Sequence, residues 1–83
     1  MAKRDKLKEK LLSGEHDKNF GFDELCTLLL QLGFTERKKG KGSHRIFYRN
    51  GIEEIINLQP TSGNKAKPYQ VRQVRQILKA YSL

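Results

Sequence analysis

The stretch Phe22-Asp23-Glu24-Leu25-Cys26-Thr27-Leu28-Leu29-Leu30-Gln31-Leu32-Gly33-Phe34 decides how the chain folds. Phe22, Leu25, Leu28, Leu29 and Leu32 recur at spacings of three and four, the mark of a helix with one face pressed on a core. Asp23 is the expected N-cap. Gly33 fits the position just past the helix, where a left-handed backbone costs glycine little. Beyond Gly33 the period changes. Phe34–Lys39 and Ser43–Arg49 read as strands joined across Gly40-Lys41-Gly42. Asn50-Gly51 is a hairpin signal, and Glu54–Gln59 gives a third strand carrying Ile55, Ile56 and Leu58. Together they form an antiparallel meander.

Downstream, Pro60-Thr61-Ser62-Gly63-Asn64 reads as a loop and Pro68 as the first turn of a last helix. Val71, Val74, Ile77, Leu78 and Tyr81 line one face of that helix. Upstream, Lys3–Leu12 is a short lysine-rich helix with Leu7, Leu11 and Leu12 on one side, ending at Ser13-Gly14. It is too short to be stable unless it packs on something. Glu15–Asn19 follows as a polar loop. The expected organisation is a basic helical extension and loop over residues 1–19, then a single domain over 20–83. Its fold class is α+β, in the order α-β-β-β-α. The economical packing puts both main helices on one face of a three-stranded antiparallel sheet and leaves the other face open.

The chain has 83 residues, enough for one core. It carries 17 Lys and Arg against 9 Asp and Glu, a net charge of +8. No apolar run approaches the roughly 18 residues of a membrane span, and no apolar segment follows the first residues as in a signal peptide. One cysteine makes no internal disulfide, which fits the reducing cytoplasm. His16 and His44 have no second His or Cys at ligand spacing, so neither a structural zinc nor another cofactor is expected. Residues 36–49 hold Arg37, Lys38, Lys39, Lys41, Arg45 and Arg49 against Glu36, a net of +5. Residues 65–83 hold Lys65, Lys67, Arg72, Arg75 and Lys79 with no acid, again +5. Two basic clusters with an acidic spacer between them suggest a footprint on phosphates, if the fold brings them together. A solvated lysine surface is the plainer alternative.

Helix, three strands and helix, with a basic loop before the last helix, is the plan of double-stranded-RNA-binding domains. Lys65 and Lys67 stand where such domains place phosphate contacts near a helix N-terminus. Gly40-Lys41-Gly42-Ser43-His44 points further. Glycines let backbone amides approach a phosphate, and a histidine between Lys41 and Arg45 can accept a proton from a ribose 2′-hydroxyl. On composition and spacing alone, a single strand histidine is more often a surface or satisfied structural residue than a general base. Cys26, among leucines, reads as a small core residue. Glu53 and Glu54 point to opposite faces of a strand and cannot readily share one ion.

The combination of Phe22-Asp23-Glu24-Leu25-Cys26, Leu32-Gly33-Phe34, Lys41-Gly42-Ser43-His44 with Phe47 and Arg49, and the helix from Tyr69 to Tyr81 resembles the HicA family of prokaryotic toxins. The likeness covers about residues 11–81. It implies a fold like the double-stranded-RNA-binding domain and metal-independent endoribonuclease activity on mRNA. It also implies neutralisation by a HicB-type antitoxin. The family's catalytic histidine maps onto His44 and its turn onto Gly42 and Ser43. Lys38, Lys39, Lys41, Arg45, Lys65, Lys67 and Arg72 supply the expected RNA surface. A non-catalytic RNA-binding module of similar fold, or an inactive relative that only binds its antitoxin, are the other readings. Alternation on the second strand puts His44, Ile46 and Tyr48 on one face and Phe47 on the other. The resemblance requires an accessible histidine and so favours Phe47 inward.

Overall fold

A computed structural model describes residues 2–37 and 44–83, with side chains from Lys6 onward. Helix α1 (Ala2–Ser13) leads through a 3-10 turn (Asp17–Asn19) to α2 (Phe22–Gln31). Strands β1 (Thr35–Arg37), β2 (Arg45–Arg49) and β3 (Ile52–Leu58) follow, and α3 (Pro68–Ala80) closes the chain. The sheet is antiparallel in the order β1-β2-β3. The α-β-β-β-α order expected from the periodicity is therefore present. The expected turn Gly40-Lys41-Gly42 and the strand ends at Lys38, Lys39 and Ser43 lie outside the described residues.

Alternation along the strands sorts the sheet into two faces. Phe47, Ile56 and Leu58 point to the helices and are fully buried with Leu25, Leu28 and Leu29 of α2 and Val71, Val74 and Leu78 of α3. The opposite face is open, with Tyr48 38% and Ile55 51% exposed. Phe47 inward is thus the arrangement found, and His44 is exposed. Leu11 of α1 is fully buried in the same core, and Leu7 packs against its edge. That burial gives the short first helix the tertiary support it lacks alone.

The start of α2 differs from expectation. Gly21, not Asp23, is the N-cap. Its carbonyl accepts the first helical bond, from the Leu25 N–H at 3.0 Å, and its own N–H donates to Glu24 Oε1 at 3.1 Å. The helix begins two residues early because Phe22 is part of the core and is fixed by its N–H bond to the Asn64 carbonyl, 3.0 Å. Asp23 accepts instead from Asn64 Nδ2.

The other end of α2 follows the sequence. Gly33 has φ +93°, its N–H donates to the Leu30 carbonyl and that of Phe34 to the Leu29 carbonyl. This is a Schellman closure, with Phe34 and Leu29 both buried beside it. An alanine at Gly33 would hold its Cβ in a left-handed backbone. Gly33→Ala is expected to destabilise the fold by roughly 1–2 kcal/mol, read as a lower urea midpoint at unchanged slope.

What read as the polar loop 15–19 contains a second fixed point. Arg75 of α3 makes two bonds to the Asp17 carboxylate, both 2.9 Å, and donates to the Leu11 carbonyl at the end of α1 at 3.0 Å. The Arg75 guanidinium holds the Asp17 carboxyl below its usual range, against the opposing effect of burial. A carboxyl depressed in the folded state stabilises above its unfolded value, and that contribution disappears as pH falls through the folded value. Asp17→Asn is expected to cost about 1–2 kcal/mol at neutral pH, between a surface and a buried pair. Its stability should also fall less than the wild type's on acidification below about pH 4. Parallel stability–pH curves for the two proteins would count against this role.

Candidate functional site

The hairpin β2–β3 places the histidine. Asn50-Gly51 turns the chain with Arg49 opposite Ile52, and Gly51 has φ +90°. A regular ladder from that pair would set His44 opposite Asn57. Instead, three residues of β3 (Glu53, Glu54, Ile55) face one of β2 (Tyr48), and beyond this irregularity Phe47 pairs with Ile56, Ile46 with Asn57 and Arg45 with Leu58. Two extra residues leave the faces unchanged but slide the register by two. The same ladder, one step further, sets His44 across from Gln59. Tyr81 holds the irregular stretch: its hydroxyl accepts from the Glu53 N–H and donates to Glu54 Oε1 at 2.8 Å. That bond to Glu54 raises the Tyr81 phenol above its usual range.

Gln59 joins three elements. Its side-chain Nε2 meets His44 Nε2, and its Oε1 accepts from Lys67 Nζ at 2.7 Å. Its backbone N–H donates to Gln70 Oε1 at 3.1 Å, and Gln70 Nε2 donates to the Asn57 carbonyl at 3.0 Å. Gln70 is buried and closes this end of the β3 edge with both amide atoms. Lys67, the N-cap residue of α3, reaches Gln59 because the loop between them folds back on itself. Pro60 pairs with Ala66, and the Thr61 N–H donates to the Lys65 carbonyl at 2.7 Å. The loop is also tied to the entry of α2, through the Ala66 N–H on the Phe20 carbonyl at 2.8 Å and the Phe22 N–H on the Asn64 carbonyl at 3.0 Å.

The basic residues expected to form one surface divide into groups. Lys67 comes together with His44 through Gln59. Arg45 lies on the helix-facing side of β2, opposite His44, and makes two bonds to Glu36 at 2.8 and 2.7 Å. That carboxylate raises the Arg45 guanidinium further above its ordinary range. Lys65 donates to Asn19 Oδ1 at 3.3 Å, and Arg72 is exposed on α3, near enough to act on the Asp17 charge. Lys38, Lys39, Lys41, Gly42 and Ser43 lie outside the described residues. Arg37, not singled out as an RNA contact, lies over the Tyr48 ring at 5.7 Å on the open face.

Cys26 is buried, and desolvation pushes its thiol up to about 11, so it is protonated at neutral pH and unfit as a nucleophile. His16 is exposed beside Asp17 in the helix layer. Among the described residues, no three His, Cys, Asp or Glu side chains gather where they could hold a metal ion. No helix among them is long and apolar enough to cross a membrane.

Sequence reasoning missed Gln59 and Gln70. Gln70 did carry a signal: it falls on the buried stripe Gln70, Val71, Val74, Ile77, Leu78 of α3, where a polar side chain needs a partner. Gln59 carried none, because the register that brings it to His44 is not the one the hairpin turn implies.

An α+β domain of this order, with a histidine on its open sheet face and a cation one side chain away, belongs to the class of small domains built like the double-stranded-RNA-binding fold. Residues 22–80 match the family model of the HicA toxin of bacterial toxin-antitoxin, and the chain belongs to that family. It is accordingly a toxin of a toxin–antitoxin system, a family whose members are paired with antitoxins and are generally ribonucleases. No curated protein and no solved structure gave a significant match. The family match begins at Phe22, although Leu11 of α1 is an integral part of the core.

Proposed function

We propose that this toxin is a metal-independent mRNA endoribonuclease with His44 as its general base, acting in the cytoplasm and neutralised by a HicB-type antitoxin. The observation that carries the reading is the exposed His44 on the open sheet face, with the Lys67 ammonium bound to the same amide that meets its ring. An imidazole nitrogen takes the 2′-hydroxyl proton, the 2′-oxygen bonds to phosphorus, and the P–O5′ bond breaks. The products are a 2′,3′-cyclic phosphate and, once the 5′-oxygen has taken up a proton, a 5′-hydroxyl. Lys67, bound to the same amide, is the cation that would offset charge building on the phosphate oxygens. Lys38, Lys39, Lys41, Gly42, Ser43, Arg45, Lys65 and Arg72 are the proposed RNA contacts, Arg45 by exchanging its Glu36 partner for phosphate.

The test is cleavage of single-stranded RNA in EDTA by the wild type and by a folded His44→Ala variant. Cleavage by the wild type alone, leaving a cyclic phosphate end, is the expected result. Equal cleavage by both would show that the activity lies elsewhere. Salt-dependent RNA binding by both without cleavage would make the chain a binding module.

A further inference from the structure

The contact between Gln59 and His44 fixes more than a position. A lysine ammonium only donates, so the Gln59 atom that meets Lys67 Nζ at 2.7 Å is the carbonyl oxygen. The other end of the same amide, facing His44 Nε2, is then the NH2 group, which also only donates. His44 Nε2 must accept. A neutral imidazole that accepts at Nε2 carries its proton on Nδ1. Lys67 thus sets the orientation of the Gln59 amide, and the amide sets the tautomer of the ring. Behind them, the buried Gln70 anchors the Gln59 backbone through its N–H.

We propose that Gln59 is a positioning residue: oriented by Lys67, it holds the free His44 ring as the Nδ1–H tautomer, so that Nε2 is unprotonated and accepts from the substrate hydroxyl once that hydroxyl takes the amide's place. The inference deepens the nuclease reading and rests on it for its role in catalysis. In the free protein the Gln59 amide fills the place the ribose 2′-hydroxyl takes in the complex. When RNA binds, the hydroxyl donates to Nε2, and the displaced amide N–H is left beside the oxygen that is losing its proton. Among serine and cysteine hydrolases the base is likewise held in its working tautomer by a third group. Here an amide donor on the reacting nitrogen sets the tautomer before RNA binds, whereas a carboxylate on the far nitrogen stays bound throughout.

Among the described residues, the other cations near the histidine in sequence or on its face have partners of their own. Arg45, the next residue, points to the helix side and is bound to Glu36. Arg37, whose strand position is opposite Ile46, lies over the Tyr48 ring. Neither presents a donor to the ring in this arrangement.

The experiment begins on RNA-free protein, so that its outcome does not depend on activity. Ring-nitrogen NMR of the neutral His44 in alkaline solution is expected to show the Nδ1–H form in the wild type. Gln59→Leu removes the donor and Lys67→Met removes what orients it, so each should shift the ring towards Nε2–H. Gln59→Glu keeps the size but offers only acceptors, and should give Nε2–H outright. Cleavage is then expected to fall in Gln59→Leu, and at least as far in Gln59→Glu, whose carboxylate selects the Nε2–H form. The same tautomer in wild type and Gln59→Leu, or full activity in Gln59→Glu, would overturn the proposal. A wild type with the expected tautomer but no His44-dependent cleavage would overturn the nuclease reading, and the catalytic role of Gln59 with it, while the tautomer assignment stood.

Discussion

Replacing His44 by alanine is expected to lower RNA cleavage by roughly 10²–10⁴-fold, the usual share of a positioned general base. Stability should hardly change. The side chain is exposed, and its hydrogen bond is to another side chain at the surface. Such surface substitutions usually stay within about 0.5 kcal/mol. The two readouts together make the result specific, since unfolding would remove activity and stability at once. In cells, the wild type expressed without antitoxin should arrest growth, whereas His44→Ala should be tolerated at the same protein level. Growth arrest by a folded His44→Ala chain would show that toxicity does not pass through this residue.

The second large effect belongs to the core. Phe47→Ala is expected to destabilise the fold by about 3–5 kcal/mol, from lost burial and from the cavity left behind. Phe47 is fully buried at the centre of the sheet, paired with Ile56 and enclosed by both main helices. A small domain holds only about 5–15 kcal/mol in total, so the variant sits near the edge of folding. Its toxicity should fall because little folded protein remains. Cooling or antitoxin binding should recover some of the folded chain, which His44→Ala does not need. A denaturation midpoint close to wild type would show that Phe47 is less central than its burial implies.

Phe47 lies on β2 and His44 just before its first residue, three positions away, and alternation puts them on opposite faces. The sequence alone showed that alternation, but it did not say which face turns inward. Burial of Phe47 against α2 and α3 decides it, and exposure of His44 follows. The helices themselves were legible because their apolar spacing is a local property. Leu25, Leu28 and Leu29 mark α2, Val71, Val74 and Leu78 mark α3, and Gly33 and Pro68 mark their limits. The cap at Gly21 was not legible. Asp23 is the better capping residue by chemistry, but burial of Phe22 and the Asn64 carbonyl, 42 residues away in sequence, start the helix earlier.

The candidate site divides the same way. A glycine-serine-histidine run after the Leu32-Gly33-Phe34 helix end, in a chain of net charge +8, was enough to single out His44 and to place the chain near a toxin family. What stands beside His44 was decided elsewhere. Local turn chemistry sets Arg49 against Ile52, which on its own would bring Asn57 to the histidine. Tyr81, at the far end of the chain, binds Glu53 and Glu54 and holds two extra residues in β3, so that Gln59 arrives instead. The loop 60–67, pinned to α2, then brings Lys67 to the same amide. Periodicity and turn residues act over a few positions, and they determined the elements and the histidine. Register and loop return depend on contacts between residues far apart in sequence, and only the tertiary structure decided which partners that histidine meets.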